Sequence, residues 1–103
     1  MKKTFELTHP KIKTARLVEA VRHEVKKYLK RERKKPLPEG VDFWDFDCRF
    51  GHTEAEAKVV HLAEITKCIT EAQELQLTSF YIEILAKEGR RQRKENPTED
   101  SEG

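Results

Sequence analysis

The segment between Pro10 and Pro36 constrains the fold more than any other part of the chain. Within it Leu17, Val18, Val21, Val25, Tyr28 and Leu29 recur at steps of one, three and four, which puts them on one stripe of an amphipathic helix. Thr14 stands where an N-cap is wanted. Lys35 precedes Pro36, whose ring steers the residue before it away from helical angles. The spacing therefore predicts a helix from Thr14 to about Lys35, followed by the stiff connector PLPEG.

Elsewhere the apolar period is two. TFELTH alternates Phe5 and Leu7 with Thr4, Glu6 and Thr8, a half-buried strand closed by Pro10. In VDFWDFDCRFG, residues 41–51, Trp44, Phe46, Cys48 and Phe50 point one way while Asp45, Asp47 and Arg49 point the other, and Gly51 ends the run. SFYIEILAK alternates Phe80, Ile82 and Ile84 with Tyr81, Glu83 and Leu85 and is the last strand. Residues 53–77 carry two readings. T-E-A-E at 53–56 is a capping-box pattern that could open one long helix to about Leu77. VVHLAEI is β-branched enough to pair with the preceding strand across GHTEAE, leaving a shorter helix from about Glu64 or Thr66 with Ile65, Cys68, Ile69, Ala72 and Leu75 on its apolar face. The strand reading is preferred.

The resulting expectation is an α+β, ferredoxin-like βαββαβ sandwich, a four-stranded antiparallel sheet with two helices on one face. The alternative is βαβαβ with one long second helix. The chain of 103 residues suits one domain, taken as 1–88, with 89–103 as a disordered charged tail that lacks apolar residues. Charged residues outnumber hydrophobic ones, 39% against 36%, so the core must be thin and little apolar surface is left to line a deep pocket.

Charge is segregated along the chain. Residues 1–35 hold 13 Lys or Arg against 4 Glu, for +9, whereas residues 36–88 hold 4 against 11 acids, for −7. On a helical wheel Arg16, Arg22, Lys26, Lys27, Lys30, Arg31, Arg33 and Lys34 gather opposite the Leu17/Val21/Val25 stripe, a basic ridge suited to a polyanion. The RRQRK segment of the tail could extend it. Part of the ridge has a structural purpose as well, because cations in a last turn complement the helix dipole. The uncovered sheet face would carry Glu6, Asp45, Asp47 and Glu83, which repel phosphate, so nucleic acid is expected on the helix side through backbone contacts.

Catalytic and metal chemistry finds little footing. Asp45 and Asp47, at i and i+2, lie about 6.5–7 Å apart on a strand, a separation at which two carboxylates could share a hard cation. Alternation on a half-exposed strand accounts for both without a ligand. His9, His23, His52 and His61 have no zinc-ligand spacing and read as surface residues, although a hairpin register bringing His61 to Asp45 or Asp47 would make an acid–base pair. Cys48 and Cys68 read as reduced, buried thiols. There is no G-x-S-x-G, no P-loop and no apolar run of membrane-spanning or signal-peptide length. No catalytic residue, metal site, cofactor or membrane partner is assigned, the chain reads as cytoplasmic, and a non-enzymatic role is preferred.

The run TFELTHPKIKTARLVEAVRHEVKKYLKRERKKPLPEGVDFWDFDCRFG, continuing through SFYIEILAK, resembles a family of short bacterial proteins known only as a domain of unknown function. The resemblance covers nearly the whole chain except the tail. It implies a bacterial, cytoplasmic origin and carries over no activity, cofactor or catalytic residue. The functional expectation rests on the residues: a small binding module contacting RNA, ribosome or another polyanion through the first helix. The alternative is a protein-interaction or self-associating module, a homodimer included, in which an acidic sheet face meets a basic helix.

Overall fold

A computed structural model describes residues 1–91. The elements run β1 (Lys2–Glu6), α1 (Thr14–Arg33), β2 (Phe43–Gly51), β3 (Lys58–Val60), a 3-10 turn over Leu62–Glu64, α2 (Ile65–Glu74) and β4 (Ser79–Gly89). All strand pairings are antiparallel and the sheet order is β1-β4-β2-β3. The long strands β2 and β4 are central and the short ones form the edges. Helix α1 links β1 to β2 across β4, and α2 links β3 to β4 across β2, so two βαβ units interleave in an α+β fold.

The period-two pattern decides which face receives the helices. Phe5 of β1, Phe46 and Cys48 of β2, and Phe80, Ile82 and Ile84 of β4 form one buried cluster with Val18, Val21 and Val25 of α1 and Ile65, Ile69 and Ala72 of α2. Both helices thus lie on that face. Phe80 is fully buried between Phe5 and Phe50, with ring centroids 5.9 and 5.1 Å away. Burying one such side chain contributes about 1.5–3 kcal/mol, and a core this thin depends on each of them.

Several boundaries differ from expectation, each for a local reason. The first strand begins at Lys2 and ends at Glu6, and Leu7 continues past it fully buried, its N–H donating to Thr78 O at 2.8 Å. Thr14 is the first helical residue rather than the N-cap; Lys13 takes that position, and the Thr14 hydroxyl donates to Leu7 O at 3.2 Å, tying the helix to the end of β1. The helix stops at Arg33, two residues short of Lys35. Residues 58–64 resolve as a three-residue strand followed by a turn: His61 Nδ1 accepts from Ala63 N–H and Glu64 Oε1 accepts from His61 N–H, a reciprocal cap that leads into α2. The T-E-A-E pattern makes a single turn closed by Glu56 N–H on Thr53, and no long helix.

At the other end of α2, Leu75 lies beyond the last helical residue and is 65% exposed, so it does not join the apolar face assigned to it. Gln76 next to it adopts φ 57°, the left-handed conformation that usually stops a helix at glycine, and Leu77 N–H returns to Ala72 O at 3.1 Å. Strand β4 runs to Gly89, where the ring of Phe43 packs over the glycine in the space a Cβ would need. Arg90 Nε then donates to Gly40 O and Arg91 N–H to Asp42 Oδ2, at 3.1 and 2.7 Å. Residues 89–91 of the expected tail are therefore attached to the start of β2; the remainder, 92–103, lies outside the described residues.

Candidate functional site

The outward surface of α1 is built by the same stripe that builds the core. With Val18, Val21 and Val25 buried, Arg16, Lys26, Lys27, Lys30, Arg31, Arg33 and Lys34 are all exposed, and Arg22 is half-buried on the flank facing α2. Arg22 donates to the Thr70 hydroxyl, which orients it along the helix pair rather than outward. Arg31 lies over the Tyr28 ring and Arg33 over the Phe46 ring, with guanidinium carbons 5.6 and 5.5 Å from the centroids. These two arginines lean on aromatic surface while keeping their charge in water.

Two of the three acids of α1, Glu24 and Glu32, are engaged away from the ridge. Glu24 is held by Lys3 of β1 at 3.0 Å. Glu32 falls in the centre of the apolar stripe and is buried, its carboxylate 2.9 Å from Lys35 Nζ and 3.7 Å from Arg31 Nε. Only Glu19 remains exposed on the helix without an ion pair among the described residues. Of the eight ridge cations, Arg31 alone has a carboxylate within ion-pairing distance among the described residues. Glu32 also accounts for Tyr28, whose hydroxyl is shifted upward by burial first and by that carboxylate second.

A wheel drawn on the helix could not show what precedes it. Lys11, Ile12 and Lys13 fold against the first two turns of α1 and, with Arg16, Leu17 and Ala20, line a groove of about 610 Å³. Ile12, Leu17 and Ala20 provide its apolar surface, and Ile12 is 40% exposed there. Lys11, Lys13 and Arg16 supply the charge in its lining. The signal in the sequence was the KIK triplet just before the helix, which periodicity alone left unassigned.

The uncovered sheet face is electrostatically balanced instead of acidic. Lys87 of β4 sits opposite Asp45, and its Nζ lies 2.7 Å from Asp47 Oδ1 and 3.9 Å from Asp45 Oδ2, the position a shared cation would take. The hydrogen bond to Asp47 and its charge raise the lysine above its ordinary value. Further along, Glu83 Oε1 accepts from the Tyr81 hydroxyl at 2.8 Å and lies 3.5 Å from Arg49 Nη1, while Arg49 Nη2 donates to Ala57 O at 2.9 Å. Burial, then the bond to Glu83, pushes the Tyr81 phenol up to about 12. Tyr81 is thus 3% exposed and engaged, so it is not free to stack a base.

The histidines do not converge. His9 Nδ1 accepts from Lys11 N–H, His61 Nδ1 is used in the cap of the 3-10 turn, and His23 is exposed on the outer side of α1. His52 lines a second cleft of about 720 Å³ between the β2–β3 loop and α2, beside Phe50, Cys68 and Leu75. Both cysteines are free; Cys48 is buried and Cys68 half-buried. Burial holds both thiols above their ordinary value, Cys48 at about 11, so neither is primed as a nucleophile near neutrality. Among the described residues no group of three or more His, Cys, Asp or Glu side chains is arranged to hold a metal ion. Among them, too, no helix is long and apolar enough to cross a membrane.

No curated protein and no solved structure compared with the chain gives a significant match. A family model does match, over residues 1–96, and the chain belongs to that family, a family of unknown function (DUF6172).

Proposed function

We propose that this protein is a small non-enzymatic binding module of the bacterial cytoplasm that contacts RNA, a ribosomal surface or a comparable polyanion through the outer face of α1. The observation that carries this reading is the disposition of charge on one 20-residue helix: its cations other than Arg22 face outward while Glu24 and Glu32 are engaged by Lys3, Lys35 and Arg31. Residues three and four apart lie about 5–6 Å from each other on a helix surface, so Lys26/Lys30, Lys27/Arg31 and Lys30/Lys34 present closely spaced positive charge. Such a surface binds a phosphate chain with little sequence preference and strong salt dependence.

The test is binding of labelled RNA by fluorescence anisotropy across a salt series, with Lys26→Glu/Lys30→Glu as the variant. Loss of binding with an unchanged circular dichroism spectrum supports the reading; affinity independent of salt sinks it. Purifying the protein from cells with and without nuclease treatment identifies the natural partner. The self-associating alternative has less to work with, since Lys87 and Arg49 already neutralise Asp47 and Glu83 on the sheet face. Light scattering that gives a monomer at all concentrations in low salt removes it.

A further inference from the structure

We infer that the groove at the start of α1 receives an unstacked base of single-stranded nucleic acid, with the cations of the helix holding the sugar–phosphate chain that leads into it. The inference rests on the polyanion reading above and specifies its ligand. The groove joins two properties a simple phosphate does not require together: an apolar surface from Ile12, Leu17 and Ala20, and the cations Lys11, Lys13 and Arg16 with no carboxylate in its lining. A duplex keeps its base faces stacked and offers such a surface only phosphates and groove edges. A single strand exposes flat base faces of low polarity beside its phosphates, which matches a lining that combines aliphatic side chains with cations.

Continuity with the ridge supplies the path. Arg16 belongs to the groove and to the outer face of α1, and from it the helix carries Lys27, Lys30 and Lys34 over a length of about 27 Å at 1.5 Å per residue. Between them stand Ala20, too small to block a chain, and His23, which is exposed, while the exposed carboxylate of Glu19 borders the path on one side. On the sheet face Tyr81 is buried and bonded to Glu83, and Phe43, 38% exposed, is packed over Gly89. The floor is aliphatic, so it stacks less strongly than an aromatic platform and does not distinguish one base from another.

The experiment compares a labelled oligouridine strand with a hairpin duplex of equal length, by anisotropy at fixed salt, for the wild type, Ile12→Ser, Ala20→Asp and Lys27→Glu/Lys30→Glu. Ile12 and Ala20 lie outside the buried core cluster, so their substitution should leave the fold intact, which circular dichroism checks. The wild type should prefer the strand, and Ile12→Ser should weaken strand binding by roughly five-fold, the order expected for one partly buried apolar side chain, while hairpin binding stays the same. Equal binding of strand and hairpin, or an Ile12→Ser variant indistinguishable from wild type, overturns the inference; if Lys27→Glu/Lys30→Glu still abolishes binding, the polyanion reading survives. Absence of binding to either RNA overturns both. Sedimentation with phosphatidylglycerol vesicles that depends on Ile12, without any preference for the strand, also overturns it and makes the groove an anionic-lipid site.

Discussion

The hydroxyl of Tyr81 donates to Glu83 Oε1 at 2.8 Å, although both residues lie on the side of the sheet that no helix covers. They are buried there, at 3% and 8% exposure, in the region where the loop after Gly51 returns: Ala57 closes over that glycine and accepts a hydrogen bond from Arg49, which also reaches Glu83. The open face is therefore open only over part of its length. At one end a polar cluster is sealed by a turn, and at the other Asp45, Asp47 and Lys87 remain in water.

Spectrophotometric titration reads this cluster directly. A phenol whose folded-state value is raised to about 12 from an ordinary 10.0 holds its proton longer in the folded than in the unfolded chain. Tyr81 thus contributes stability that is fully present below pH 10 and is lost as pH rises toward 12, and Cys48, raised from 9.0 to about 11, contributes with the same sign between pH 9 and 11. Phenolate absorbance should show a late step that Tyr81→Phe removes, and the thermal midpoint should fall as pH rises through that range. A Tyr81 step at the ordinary value would contradict the buried pair.

Removing the carboxylate tests the same cluster at neutral pH. Glu83→Ala leaves the buried Tyr81 hydroxyl and one side of Arg49 without a partner, which should destabilise the fold by about 1–3 kcal/mol. Urea denaturation with an unchanged m-value is the measurement.

Gly51→Ala probes the turn that seals it. An added Cβ would lie 2.6 Å from Ala57 Cα and 2.7 Å from Ala57 N, both backbone atoms, so the loop itself must shift. The expected loss is about 1–3 kcal/mol, similar to overpacking a core. Faster hydrogen exchange at residues 52–58 should accompany it.

Gln76→Gly should act in the opposite direction. Gln76 is exposed and holds φ 57° at the end of α2, a conformation that costs a side-chain-bearing residue about 1–2 kcal/mol and glycine almost nothing. The glycine also enlarges the freedom of the unfolded chain, so the net gain should be a fraction of that amount, read as a higher urea midpoint.

Salt dependence reports how many ridge cations meet phosphate. For a single strand the logarithm of affinity falls with the logarithm of salt by about 0.7 per neutralised phosphate, so five to seven contacts give a slope of roughly −3.5 to −5. Each Lys→Ala substitution at 26, 27, 30 or 34 should lower its magnitude by about 0.7. A slope unaffected by these substitutions would place the contact elsewhere.

Periodicity was a faithful guide wherever a residue's environment is set by its own element. The stripe from Leu17 to Leu29, the inward set of Trp44, Phe46, Cys48 and Phe50, and the buried Phe80, Ile82 and Ile84 all lie where alternation or the helical repeat puts them. It failed where a partner decides. Glu32 repeats with the apolar stripe yet is charged, and only the nearby Lys35 and Arg31 make its burial tolerable. Glu83 and Tyr81 alternate outward, but a turn distant from them in sequence covers them. Asp45 and Asp47 do stay wet, as alternation suggested, and the lysine between them comes from β4, a register invisible before the strands are paired.

By itself the sequence determined β1, α1, β2 and β4 and the side of each that must leave water, because a helix has one repeat and a strand another and apolar surface has nowhere else to go; between residues 53 and 77 it left two readings open. It also determined that the cations of α1 other than Arg22 would face outward, being opposite the stripe. Tertiary structure decided the order β1-β4-β2-β3, which carboxylates are neutralised, and that Lys11, Ile12 and Lys13 fold against α1 to make a groove. Those outcomes depend on atoms far apart along the chain coming within a few ångströms, and no local period encodes such distances.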